Sequence, residues 1–286
     1  MAPEATRIVR ASIVLPTYNR RQLIVELLGS LHEISIPSEE VEIIVIDDGS
    51  TDDTLDHLAG VYPAVRCLRN DCTRGPSAAR NQAAALACGD LLLFLDTDGV
   101  VHDNWLKSML KADDGHTVLL GNVVDFSGGR VQQVPRRATF LGKSIACRPE
   151  RANTGPSCNL AMPRACFEAL GGFDEELPYY FEDSDLCIRA GRAGYPFRFV
   201  ADAIFRHHGT ERKQGPAIEM QEHNSTYAML KFYRGDRLRS MIFTVLNGGW
   251  LVTRATWWLL HLRFIDTARL VRGWARAYRR FMGRPT

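Results

Sequence analysis

Three short runs of nearly unbroken apolar residues, 11–15 (ASIVL), 41–46 (VEIIVI) and 91–95 (LLLFL), punctuate the first part of the chain. Strands that apolar must be covered on both faces, as in a parallel sheet with helices on either side. The segments between them supply the helices. Residues 20–33 carry Leu23, Leu27, Leu28 and Leu31 on one side, 51–58 open with helix-start residues, and 77–88 are rich in Ala. A short strand at 65–69, a helix near 104–111 and a strand at 117–120 extend the alternation. It predicts an α/β domain with a mostly parallel central sheet flanked by helices. Beyond a less regular stretch at Gly128, Gly129 and Pro135 comes a second block. It reads as a strand near 159–162, a helix opened by Pro163, a turn at Gly171-Gly172, a helix over 182–193 and a strand near 197–200. We place a body at 1–230, divided near 125, and a mainly helical C-terminal extension at 231–286.

Ligands of open parallel sheets sit beyond the carboxyl ends of the strands. Those ends carry Pro16-Thr17-Tyr18-Asn19, then Asp47-Asp48-Gly49-Ser50-Thr51-Asp52, then Asp96-Thr97-Asp98-Gly99. An aromatic ring and several carboxylates therefore share one rim. Neighbouring acids repel unless something positive lies between them, and a hard divalent cation with phosphate oxygens is the natural partner of such carboxylates. Simpler roles exist for each cluster. Ser50 or Thr51 would cap a helix, with Asp52 and Asp53 in its first turn. Glu182, Asp183 and Asp185 would be first-turn acids, and His207-His208 a surface pair. Those roles leave Asp47 and Asp48 unexplained, and they ignore the order in which the clusters follow one another.

Taken in that order, the chain resembles family 2 glycosyltransferases of the GT-A fold. The matching segments run from ASIVLPTYNR (11–20) and VEIIVIDDGSTDDT (41–54) through RGPSAARNQA (74–83) and GDLLLFLDTDGVV (89–101). They continue with SCNLAMPRACFEALGGFDE (157–175), YFEDSDLCIRAGRAGY (180–195) and FRHHG (205–209). The resemblance implies a nucleotide-sugar site on the first half, built from Pro16, Thr17, Tyr18, Asn19, Asp48, Arg80, Asp96 and Thr97. It implies Mn²⁺ or Mg²⁺ at Asp98, with His207 or His208 reaching the metal or the diphosphate. Asp183 would be the general base for an acceptor hydroxyl, with Glu182 on the acceptor side and Asp185 in reserve. One base in reach of the nucleophile suffices for a single inverting displacement. UDP is the expected nucleotide. The acceptor would be a glycan, a lipid-linked glycan or a small molecule. The segment 209–216 (GTERKQGP) reads as a lid whose Arg212 and Lys213 touch the diphosphate.

Two rival functions use the same residues. Phe94–Val100 also resembles the first motif of haloacid-dehalogenase-like phosphatases, with Asp96 as nucleophile. That motif belongs on a first strand, and here several βα units precede it. The second rival is a non-catalytic membrane-associated scaffold. No G-x-G-x-x-G occurs, and Gly142-Lys143-Ser144 lacks the earlier glycine of a P-loop.

The net charge of +2 hides an asymmetry. Residues 231–286 hold twelve Lys/Arg against two Asp/Glu, net +10, which leaves 23 against 31, net −8, for the rest. An acidic body is not a nucleic-acid binder. In the extension, a helix from Arg269 would set Arg269, Arg272, Arg276 and Arg279 on one face and Leu270, Trp274, Tyr278 and Phe281 on another. That pattern suits an anionic membrane surface, or else packing on the body or on a second copy in a homodimer. The seven cysteines, odd in number and without a C-x-x-C, point to free thiols in a reducing compartment. Together these features predict a cytoplasmic protein, peripheral on the inner face of a membrane.

Overall fold

The structure is a computed structural model that describes residues 9–34, 36–37, 40–125, 135–208, 216–261 and 263–283. The expected alternation is present: β1 (Ala11–Thr17), α1 (Arg21–Glu33), β2 (Val41–Asp47), α2 (Thr54–Val61), β3 (Arg66–Arg69), α3 (Pro76–Leu86) and β4 (Leu91–Leu95). A short β5 (Gly99–Val101), α4 (Trp105–Ala112) and β6 (Val118–Asp125) follow. A separate hairpin of β7 (Arg136–Ala138) and β8 (Ser144–Ala146) precedes β9 (Asn159–Pro163), α5 (Arg164–Ala169), α6 (Glu182–Arg192) and β10 (Phe197–His207).

The main sheet has eight strands in the order β3-β2-β1-β4-β9-β6-β10-β5. Pairing is parallel at β2–β3, β1–β2, β1–β4 and β6–β10. It is antiparallel on both sides of β9 and at β5–β10, so the sheet is mixed. Alternation of side chains divides the core in two. Ile13, Leu15, Leu91, Leu93 and Leu95 face α1 and α4, meeting Leu27, Trp105 and Met109. Val14, Ile44, Ile46, Leu92 and Phe94 face the other way, onto Ala79 and Ala83 of α3, Phe167 of α5 and Leu186 of α6. Each buried Val, Leu, Ile, Met or Phe side chain among them stabilises the fold by about 1.5–3 kcal/mol. A buried polar node ties the second half together. The Asn159 amide donates to the carbonyls of Asn122 and Ala203 (2.9 Å each), and its oxygen accepts from Trp105 Nε1 (2.8 Å).

Two expectations need correction. The helix after β2 starts at Thr54, not at 51. Asp47 takes the Ser50 N–H (2.9 Å) and hydroxyl, and Asp52 takes the Thr54 N–H (3.2 Å), so the intervening residues form a turn rather than a first helical turn. The last strand is eleven residues long, because β10 continues past an irregularity between Val200 and Ile204 and carries the chain back into the site.

The chain ends in three helices, α7 (Pro216–Tyr233), α8 (Arg237–Leu260) and α9 (Phe264–Met282). The division drawn at 230 falls inside α7. Leu177, Phe181, Tyr227, Leu230, Phe243 and Ala277 form one apolar cluster that joins these helices to the body, and Ile218, Leu251, Trp258 and Leu270 form another. The predicted amphipathic helix is therefore real, but its apolar face is used for packing. Arg272 and Arg276 pair with Glu219 of α7 (3.2 and 2.7 Å), Arg269 with Asp266 (3.7 Å), and Arg280 with Glu176 (3.2 Å). Of the two roles foreseen for α9, the structure shows docking on the protein itself. All seven cysteines are free, as expected.

Candidate active site

The strand ends open into one cleft of about 1040 Å³. Pro16, Thr17 and Tyr18 follow from β1, Asp48 from β2, and Asp96, Thr97 and Asp98 from β4. Arg80 enters from α3, Glu182 and Asp183 from α6, and His207 from β10. Of the residues expected to act together, Asn19, Asp185 and His208 stand outside this lining, and Arg212, with the proposed lid, lies outside the described residues.

Local structure explains each placement. Asn19 has φ +49; its N–H donates to Ser50 Oγ and its side-chain oxygen accepts the Thr51 N–H, both at 2.8 Å, which ties the loops after β1 and β2 together. Asp48 lines the cleft, but its oxygens hold the chain. They accept from Asn70 Nδ2 (3.0 Å), Arg74 N (3.0 and 3.1 Å) and Gly75 N (2.7 Å). Gly75 meets Asp48 at φ +93, and a Cβ there would stand 2.8 Å from Pro178, so glycine is required for this approach. Asp185 pairs with Arg189 (2.8 Å), which also donates to the carbonyls of Leu170 and Gly172, so it belongs to the packing of α6.

Register separates the two histidines. β5 pairs with β10 so that His207 lies opposite Gly99. A Cβ on Gly99 would stand 2.4 Å from Arg206 O and from the Phe205 ring, so only glycine lets the strands close here. His207 Nε2 then stands 3.1 Å from Asp98 Oδ1. The next side chain points the other way, and His208 Nε2 meets Glu26 (2.9 Å).

Charge is unevenly matched. Arg80, fully buried, reaches Asp96 and Glu182 (3.5 Å). Burial works against its charge, but the carboxylates of Asp96, Glu182 and Asp183 outweigh it and hold the guanidinium above its ordinary pKa. One cation thus faces three acids. Glu182 is the acid that yields: burial first, then the charge of Asp183, pushes its pKa well above the usual carboxylate range. Asp98 is pulled down to about 2; burial opposes this, and His207 and Arg20 (2.8 Å) outweigh it. Glu182 Oε2, Thr17 Oγ1 and Arg80 Nε are buried with no hydrogen-bond partner. Such orphaned groups call for a polar ligand. Asp98 and His207 suit a hard cation, and among the described residues no group of three or more His, Cys, Asp or Glu converges to hold one alone. Most of its ligands would be oxygens from elsewhere.

The sequence model described as "Glycosyl transferase family 2" matches residues 12–170. The chain belongs to that family. Glycosyltransferase AglE of Haloferax volcanii is 29% identical over 203 residues, covering 68% of this chain and 66% of AglE. Validoxylamine A glucosyltransferase of Streptomyces hygroscopicus is 37% identical over 107 residues, 36% of this chain and 25% of its own length. The chain thus spans less than two thirds of each of these relatives. Two solved structures share the fold. Staphylococcus aureus TarS 1-349 in complex with UDP-GlcNAc superposes with a TM-score of 0.62 at 22% identity, over 96% of this chain and 81% of that one. The mannosyltransferase PcManGT of Pyrobaculum calidifontis, in complex with GDP-Man and Mn²⁺, gives 0.63 at 18%, over 96% and 88%. This family 2 chain has the GT-A fold of those structures. The phosphatase reading does not fit that family, and Asp96 is engaged by Arg80 on a strand that three others precede.

Sequence reasoning passed over several lining residues. Arg20 ends the PTYNR segment and pairs with Asp98, so its place in that motif was a usable signal. Tyr179 and Tyr180 line the cleft ahead of Asp183, and Arg136, Ser144 and Gln221 come from the hairpin and α7, with no motif to mark them.

Proposed function

We propose that this glycosyltransferase moves a sugar from a UDP-sugar to an acceptor hydroxyl in one inverting displacement, with Asp183 as general base. The observation that carries the proposal is the single cleft shared by Asp183, Asp96 and Asp98, in which Arg80 bridges the two sides through Asp96 and Glu182. Donor and acceptor would meet there without a shuttle. The UDP-GlcNAc bound by TarS and the GDP-Man bound by PcManGT support a nucleoside-diphosphate donor on this fold.

Thr17 and Tyr18 would flank the nucleotide, and Thr17 Oγ1 is a buried group without a partner. Asp98 and His207 would hold Mn²⁺ or Mg²⁺, which when bound neutralises the charge that grows on the departing diphosphate. Arg20, which Asp98 holds at the mouth of the site, supplies a second cation for that charge. Asp183 lies at the N-terminal turn of α6 and takes the proton of the attacking hydroxyl. The acceptor is a glycan, a lipid-linked glycan or a small molecule that offers one hydroxyl.

Asp183→Asn tests the base. We expect sugar transfer, followed by release of UDP in the presence of acceptor, to fall by about 10²–10⁴-fold, while UDP binding by calorimetry stays near the parent value. Transfer at the parent rate would overturn the assignment.

A further inference from the structure

α8 carries apolar residues on two opposite faces, and only one is covered. Phe243, Leu251 and Trp258 are buried against neighbouring helices. On the opposite face Leu238, Met241, Val245, Val252 and Leu259 are exposed, at the three-, four- and seven-residue spacings that align side chains along one side of a helix. Val245 and Val252 are 67% and 64% exposed, so this stripe is not the fringe of a packed face. Phe264 and Ile265, at the start of α9, are 59% and 68% exposed as well. An apolar face of that extent marks a docking surface.

Charge selects the occupant. α8 contains no Asp or Glu. Arg237 and Arg239 stand at its first turn, and His261 and Arg263 just beyond its end. Asp236 and Asp266 are engaged by Arg239 (3.3 Å) and Arg263 (2.6 Å), and Glu222 of α7 lies 4.0 Å from Arg254. Two copies meeting antiparallel along the stripe would bring one cation-rich end, Arg237 and Arg239 against the single acid Asp236, towards the other, Arg263 and Arg269 against Asp266. An anionic lipid surface meets both ends favourably, with acyl chains under the stripe and headgroups around the arginines. Nor is α8 a span: among the described residues no helix is long and apolar enough to cross a membrane.

We propose that α8 lies along an anionic membrane surface with its outer stripe sunk into the interface. α9, whose Arg269, Arg272, Arg276 and Arg280 are engaged by Asp266, Glu219 and Glu176, instead braces α8 from behind. The inference does not depend on which donor or acceptor the enzyme uses.

Co-sedimentation of the full chain with vesicles tests it. We expect binding to phosphatidylglycerol/phosphatidylcholine vesicles and none to pure phosphatidylcholine. Val245→Glu/Val252→Glu, two changes at exposed positions, should lower the bound fraction by about tenfold or more with little change in melting temperature. If that variant melts lower, Val245→Ser/Val252→Ser repeats the measurement with milder changes and the same expected direction. Equal binding by parent and variant, no binding by the parent, or equal binding to neutral vesicles would overturn the proposal. A dimer in light scattering that the variant dissolves would overturn it too, since a second copy would then cover the stripe.

Discussion

At the scale of single residues, Arg80 is the hinge of the site's electrostatics. Its side chain is only 3% exposed, and it stands between Asp96 and Glu182. Removing one partner of a buried ion pair leaves the others uncompensated and typically costs about 3–5 kcal/mol. Arg80→Ala should therefore lower stability by about that amount in urea unfolding, and UDP binding should weaken with it. Glu182 supplies a test with a defined sign. Burial and Asp183 raise its folded pKa to about 8, while the unfolded chain titrates near the ordinary value. Between those values the folded state binds the extra proton. The stability that Glu182 contributes is thus fully present below the unfolded pKa and is lost as pH rises through the folded one. Glu182→Gln, neutral throughout, should flatten the fall of melting temperature between about pH 5 and pH 8, measured in EDTA. An unchanged slope would mean that Glu182 is ionised at neutral pH. The motif acids Asp96, Asp98 and Asp183 were legible in the sequence because each follows a recognisable strand or opens a helix. The division of labour between His207 and His208 was not, because it depends on pairing between β5 and β10, a three-residue strand against an irregular one.

Between elements, the feature that matters most is the turn that delivers Asp183. Tyr180 and Phe181 both have positive φ, +59 and +88, a conformation that costs non-glycine residues energy. Asn224 of α7 holds the turn in place, donating from Nδ2 to the carbonyls of Tyr179 (2.5 Å) and Tyr180 (3.1 Å). Phe181 adds a buried ring to the cluster beneath α7. Without Asn224 the turn loses its clamp while the cleft residues on β1, β2 and β4 stay where they are. Asn224→Ala should reduce kcat by up to about 10²-fold, the cost of displacing a reacting group by about 1 Å, with UDP affinity near the parent value. Equal losses in both would point to general loosening instead. No reading of residues 216–233 suggested this clamp, since its partners lie some forty residues earlier and meet it only through the fold. By contrast β1, β2 and β4 were placed to within two residues, because buried strands declare themselves by unbroken apolar runs. β7, β8 and the far half of β10, whose side chains are largely half-buried or exposed, carry no such run.

For the whole molecule, the question is whether the basic C-terminal helices are an appendage or part of the enzyme. Composition separates them sharply from the acidic body, which left open whether they meet a membrane or pack on that body. The contacts show packing, and opposite charge helps to join the two parts: Arg272, Arg276 and Arg280 are paired with Glu219 and Glu176. The approach of α9 to α7 is closer still at Gly273, where a Cβ would stand 2.3 Å from the Glu219 carbonyl oxygen. That oxygen is backbone and cannot rotate aside, so any larger residue must push the helices apart. α7 in turn holds Asn224, and through it the turn that carries Asp183. Gly273→Val should therefore cost about 1–3 kcal/mol, the range for forcing volume into a packed interface, and be read as a lowered urea midpoint. It should also reduce kcat through α7, although it lies far along the chain from every cleft residue. If Gly273→Val instead melts and turns over like the parent, α9 is dispensable to the catalytic body and the tail is a separate unit.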